Sequence, residues 1–273
     1  MNVGMIPKKI LRETTCILGR VLPRSNPMAP RILNYHGVRP SSADPWSVQP
    51  KPFLRHMEKI IETRLPVPIM EIVSWVTGGP IPAAGSVSVT FDHGGVDIYE
   101  HAAPVLSDQH LPGAVFIRPD LADLADRAQH SDTGKWHRRD STHMSWPQIR
   151  ELHAAGWTIA AQAPVLKQRS KEGQEALFQT MRRFRRQIEE NTGERCELLS
   201  YPYNAPGRIP PTILKLGKRA GYRATFANSV GLPRPGDDPH ALARSQILGC
   251  DSFHVYKGSL IGAMDLWKLF EQR

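Results

Sequence analysis

Cysteine is scarce, with three in 273 residues. Cys16, Cys196 and Cys250 are odd in number and far apart, which excludes a disulfide framework and any cysteine-based metal spacing. A reducing compartment, and hence a cytoplasmic location, is the expectation. No apolar run is long enough to span a bilayer. The N-terminus carries Lys8, Lys9, Arg12 and Arg20, but Arg12-Glu13-Thr14-Thr15 interrupts its apolar residues, so there is no continuous signal-peptide core. Internal repeats and low-complexity segments are absent. Aromatic residues make up only 7% of the chain, and none interleaves with a basic run in the manner of a nucleic-acid-binding motif.

What is present is positive charge. The formal net charge is +9, which favours acidic partners such as an anionic glycan, a nucleic acid or an anionic membrane surface. Ile6, Ile10, Leu11, Ile17, Leu18 and Val21 can form the apolar side of a basic amphipathic helix within residues 1–30. The simpler expectation packs that helix on the domain, and the alternative is peripheral membrane contact. Along Gln174 to Asn191, Leu177, Met181, Phe184 and Ile188 make a helical stripe. Arg182, Arg183, Arg185 and Arg186 lie beside it and read as a solvated face.

The most informative stretch is Val87-Ser88-Val89-Thr90-Phe91-Asp92-His93-Gly94-Gly95. It is a buried-type strand that delivers an acid and an imidazole to a glycine loop, where α/β proteins place their chemistry. Adjacent strand residues point to opposite faces, so Asp92 and His93 form no ready-made dyad unless the backbone turns between them. Strand-like segments begin near Arg31, Ala114, Trp157, Leu198, Tyr222 and Leu242, and helical patterns separate most of them. Arg118 to Thr142 is polar, lacks clear periodicity and reads as a long loop. Ser145-Trp146-Pro147-Gln148 has the spacing of a capping box. Alternation throughout the chain predicts α/β architecture with a parallel sheet, and the number of strands suits a barrel.

Several blocks in order carry a resemblance. Leu33-Asn34-Tyr35-His36-Gly37-Val38, Val89-Thr90-Phe91-Asp92-His93-Gly94, Met144-Ser145-Trp146 with Gly156-Trp157-Thr158-Ile159, and Tyr201-Pro202-Tyr203 are similar to blocks of the polysaccharide deacetylases. These are carbohydrate esterases of family 4, with the chitooligosaccharide deacetylase homology domain. Gly221-Tyr222-Arg223-Ala224 and Arg234-Pro235-Gly236-Asp237-Asp238-Pro239 resemble one bacterial branch. The resemblance spans Arg31 to the C-terminus. It implies a single distorted, seven-stranded (β/α) barrel over residues 31–273, behind a basic helical segment over 1–30. It also implies hydrolysis of N- or O-acetyl groups on glycans, assisted by a divalent metal, usually zinc, with three protein ligands and one open position.

Carried over residue by residue, the resemblance places Asp92 as general base and the backbone of Tyr203 at the oxyanion. His93 takes the position of the metal-binding Asp. Gln162 and Leu166 stand where two histidine ligands belong; an amide is a poor zinc ligand and an alkyl chain is none. Asn204 replaces a glycine, and Ser200 takes a position often basic in the family. Tyr201, Pro202, Asn204, Gln162 and His36 are the expected substrate contacts. A metal site rebuilt around His93 from His36, His130, His137 or His143 is the alternative.

The sequence therefore leaves open whether the chain is an enzyme. The leading expectation is a degenerate member with lost or weak catalysis and no cofactor, whose groove binds an acetylated or anionic glycan or a protein partner. The second is an active deacetylase, hydrolysing carbon–nitrogen bonds, with zinc at a relocated site. The third is a basic protein that binds nucleic acid or anionic lipid.

Overall fold

The strand β3, Ser86–Phe91, is buried along its whole length, and its two faces enter two different environments. Val87, Val89 and Phe91 join a large apolar layer between sheet and helices. Ser86, Ser88 and Thr90 alternate with them, as the two-residue period of a strand requires. The same split runs through the neighbouring strands. Ile32, Ala114, Phe116, Ala160, Leu198, Ala224 and Phe226 form a second, inner cluster. A strand buried on both faces reads as a near-continuous apolar run, the signature of a parallel sheet.

The computed structural model describes residues 5–22, 26–41, 44–129, 142–164, 170–201, 211–227 and 231–269. Around β3 lie β1 (Arg31–Tyr35), β2 (Leu65–Pro66), β4 (Gly113–Ile117), β5 (Thr158–Gln162), β6 (Leu198–Ser200), β7 (Ala224–Phe226) and β8 (Ser245–Ile247). The main order is β7-β6-β5-β4-β3-β1-β8, with β2 added beside β3. Every strand pair is parallel. A parallel bridge between Phe226 and Leu242 brings the ends together, so the sheet is a nearly closed barrel. Among the described residues it has eight strands where seven were expected, the additional one being the two-residue β2.

Helices α2 (Pro50–Thr63), α4 (Ala103–Asp108), α6 (Trp146–Ala154), α7 (Lys171–Thr192) and α8 (Pro211–Arg219) connect the strands. Ser145 caps α6 through the expected capping box with Gln148. On α7, Leu177, Met181, Phe184 and Ile188 are buried. Arg182, Arg183 and Arg186 are exposed there, and Arg185 and Arg186 pair with Glu189 and Glu190 one turn on. Apolar residues of α3 (Ile69–Val76) join the inner cluster.

The expectation of a loop over Arg118 to Thr142 fails at its start. The start of the supposed long loop is a helix, α5 (Pro119–Gln129). Its inward positions are Ala122 and Ala125, small side chains that mark a buried face less plainly than leucine or isoleucine. His130 and His137 lie outside the described residues.

At the N-terminus α1 (Met5–Val21) packs on α9 (Phe253–Ile261) and the following 3-10 segment Ala263–Leu269. Small residues set that contact. A Cβ on Gly19 would fall 1.8 Å from the Ala263 carbonyl oxygen, and one on Gly258 would fall 2.3 Å from Cys16 Sγ. Among the described residues no helix is long and apolar enough to cross a membrane.

Candidate functional site

The chain leaves β3 through two successive left-handed residues, His93 (φ 74°) and Gly94 (φ 61°). A Cβ on Gly94 would press on Ile117 at 2.9 Å, so only glycine fits without displacement. Histidine is among the non-glycine residues that visit this region more readily than most. This turn overrides the strand alternation that would have sent Asp92 and His93 to opposite faces. Asp97 then ties the loop to the end of β1, its carboxylate accepting the Val38 amide hydrogen at 2.8 Å. Gly37 and Gly95 leave room for that carboxylate, since a Cβ on either would approach it within 2.4 Å.

Two separate polar assemblies result. The first is inside the barrel. Asp92 and Arg244, from the segment entering β8, are both 0% exposed. The guanidinium donates Nη1 to Asp92 Oδ1 at 3.0 Å and Nη2 to Oδ2 at 2.8 Å. Asn34 Nδ2 donates a third bond to Oδ2 at 2.9 Å, and Asn34 Oδ1 accepts from Arg244 Nη1 at 3.0 Å. The Arg244 guanidinium also lies 4.9 Å and 5.8 Å from the ring centroids of Phe116 and Phe226. Burial alone pushes the Asp92 carboxyl up, but the adjacent guanidinium wins and holds it below the usual carboxylate value.

The second assembly sits beside it. His36 Nδ1 and His93 Nε2 are 3.0 Å apart, and the rings stack at 5.1 Å with 17° between planes. Gln246 Nε2 faces His36 Nε2 at 2.5 Å. With that amide donating, His36 Nδ1–H donates to His93. Burial, reinforced by His93 and Arg244 against the pull of Asp92, lowers His36 to about 4, so it is neutral at physiological pH. Trp46 closes edge-on against His36 at 5.5 Å. His143 lies on the segment that pairs with Gly95 and hydrogen-bonds Thr142, and burial lowers its pKa too.

Gln162 ends β5 at 0% exposure, and neither its amide oxygen nor its nitrogen has a hydrogen-bond partner in the structure. It stands in register with Ser200, whose buried hydroxyl is also unsatisfied. Buried amides and hydroxyls seldom go unpaired, and leaving one so costs roughly 1–3 kcal/mol. Tyr201 turns the other way, into the layer under α7, with its hydroxyl against Met181 Sδ at 3.6 Å. Its side chain is therefore packing rather than a wall of the lumen. Leu166, Pro202, Tyr203 and Asn204 lie outside the described residues.

Comparison with known proteins assigns this frame. A family model for polysaccharide deacetylase matches residues 81–225. The chain belongs to the polysaccharide deacetylase family. Among solved structures it is similar to IcaB from Ammonifex degensii, at 21% identity and TM-score 0.68, covering 88% of this chain and 98% of that one. It is similar also to a de-N-acetylase from Aggregatibacter actinomycetemcomitans, at 17% identity and TM-score 0.70, covering 84% and 99%. A third is the Streptococcus pyogenes deacetylase PplD in complex with acetate, at 21% identity and TM-score 0.67, covering 82% and 94%. At these identities the likeness is one of fold. No curated protein matches the sequence.

The family's metal does not fit the residues present. Of the three carried-over ligand positions, His93 is engaged with His36, Gln162 offers an amide, and Leu166 offers no donor atom. Among the described residues no three His, Cys, Asp or Glu side chains are grouped to hold an ion. Sequence reasoning singled out Asp92, His93, His36 and Gln162 but missed Arg244, Asn34 and Gln246. The clue to Arg244 is Leu242, Arg244 and Gln246 at two-residue spacing in a strand-like segment, one of them a charge where the lumen is apolar.

Proposed function

We propose that this polysaccharide deacetylase-family protein has lost metal-dependent deacetylation, or retains it very weakly, and uses its barrel mouth to bind an acetylated or anionic glycan. The observation that carries the reading is the donor set: an imidazole committed to another imidazole, an amide and an alkyl side chain replace a carboxylate and two histidines. Such a set falls short of the three nitrogen, oxygen or sulfur ligands of a catalytic zinc.

The state of Asp92 supports it. A general base works best with a pKa near the operating pH and an oxygen free to take a proton. Both oxygens of Asp92 are occupied by Arg244 and Asn34, and the carboxyl is held low. What remains suits recognition. Gln162 and Ser200 hold an acceptor and donors, buried and unpaired in the free protein, at adjacent strand ends, the pairing a sugar hydroxyl or acetamido group needs once admitted. The formal charge of +9 favours an anionic glycan.

A second reading rests on the His36–His93 pair, whose facing nitrogens could share a metal in an active deacetylase with a relocated site. An assay of acetate release from an acetylated chitooligosaccharide, with zinc or cobalt supplied, separates the two. The first reading expects release at or barely above the protein-free control. Turnover abolished by a chelator and by Asp92→Asn establishes the second.

A further inference from the structure

The helix α1 is mounted with its apolar side outward. Arg12, Thr15, Cys16 and Gly19 face the protein and are buried. Arg12 is held there by two bonds to the Asp251 carboxylate and a third to the Gln246 carbonyl oxygen. Ile10, Ile17 and Val21 stand 62%, 56% and 81% exposed, with Leu11, Leu18 and Leu22 also in solvent. At about 100° per residue the five that lie on the helix, Ile10, Leu11, Ile17, Leu18 and Val21, fall within one arc of roughly 120° that also holds the exposed Thr14, and Leu22 follows just past the helix end. The Ile6 side chain lies outside the described residues. A helix packed for stability alone buries such an arc, and here a polar and small-residue face takes its place.

The rim of the arc is basic. Lys9 borders one side, together with Glu13 and with Arg20, whose guanidinium turns back onto the His254 carbonyl oxygen, and Lys8 borders the other. An apolar arc of this width between lysines and arginines is the design of a helix that lies in the plane of a membrane surface. Lys8 sits over the Trp46 ring at 4.1 Å, and Trp46 packs on His36, so the start of α1 adjoins the barrel mouth.

We propose that α1 docks the protein on an anionic lipid surface, with Ile10, Leu11, Ile17, Leu18, Val21 and Leu22 entering the interface and the flanking lysines meeting headgroups. The proposal is independent of whether the barrel mouth is catalytic. Docked in this way, the mouth is held close to the bilayer plane.

Co-sedimentation of the full chain with vesicles of equal parts phosphatidylglycerol and phosphatidylcholine tests it. The wild type pellets with these vesicles, far less with phosphatidylcholine alone, and less as salt rises. Ile17→Ser combined with Val21→Ser keeps the wild-type melting temperature, because both side chains are already in solvent, and weakens binding at least about tenfold. Lys9→Glu weakens it at least about fivefold. Absence of vesicle binding by the wild type overturns the proposal, as does undiminished binding by the double variant. Self-association that depends on Ile17 and Val21, without vesicle binding, assigns the face to a second copy of the chain and also overturns it.

Discussion

Arg244 clamps both carboxylate oxygens of Asp92 at 3.0 and 2.8 Å inside the barrel, out of reach of solvent. Taking either partner away strands a charge. Arg244→Met is expected to destabilise the protein by about 3–5 kcal/mol, the usual consequence of leaving one buried charge unpaired. Arg244→Met with Asp92→Leu should recover most of that loss, since an apolar pair of similar volume replaces an ion pair at little net cost. Urea unfolding of the two single variants and the double variant measures the coupling.

Gln162 gives the opposite sign. Its amide is buried without a hydrogen-bond partner, so Gln162→Leu should raise stability by about 1–2 kcal/mol in the free protein. The same change should weaken glycan binding if that amide serves the ligand. Calorimetric titration with an acetylated chitooligosaccharide, alongside a melting curve, reads both effects on one variant.

Acid should destabilise the fold before most carboxylates titrate. Burial, with Arg55 adding to it, lowers His56 to about 3, and His36 is lowered to about 4. His56 lies 3.7 Å from the Tyr256 ring centroid and shares a hydrogen bond with the Tyr35 hydroxyl. An unfolded histidine takes its proton near pH 6.5, so between that pH and 4 the unfolded chain holds more protons than the native one. Stability is full above about pH 6.5 and falls as pH drops, by about 1.4 kcal/mol per pH unit from His56, with His36 adding in the same direction. His56→Gln should flatten the profile of unfolding midpoint against pH.

Gly19 tests the seat of α1. A side chain there runs into the Ala263 carbonyl, so Gly19→Leu should cost about 1–3 kcal/mol or push the helix off. Limited proteolysis should then cut within α1 while the barrel stays intact. An unchanged digestion pattern and melting curve would mean the helix is not seated as described.

The barrel was readable because its strands are buried on both faces and the sequence marks them with short β-branched runs between helical patterns. Asp92 and His93 were readable as a loop-end pair, but not as members of two assemblies. The placing of His93 against His36 depends on a left-handed histidine, which strand periodicity does not encode. Arg244 escaped notice because β8 is three residues long, too short for its alternation to stand out. The start of the Arg118–Thr142 segment resembles loop in the sequence because alanine, not a larger apolar residue, supplies its inward face. The apolar arc of α1 was visible in the sequence, whereas its outward mounting follows from Arg12 meeting Asp251 and Gly19 meeting Ala263, contacts more than 230 residues apart in the chain.

The loss of the family's metal centre is tested most directly by elemental analysis of the purified chain after incubation with zinc and removal of unbound ion. A variant combining His93→Asp, Gln162→His and Leu166→His serves as the positive control, regaining the family's ligand set and about one zinc per chain. For the wild type the expected result is far less than one zinc per chain, unchanged by His93→Ala. About one zinc per wild-type chain, lost on His93→Ala, would contradict the account.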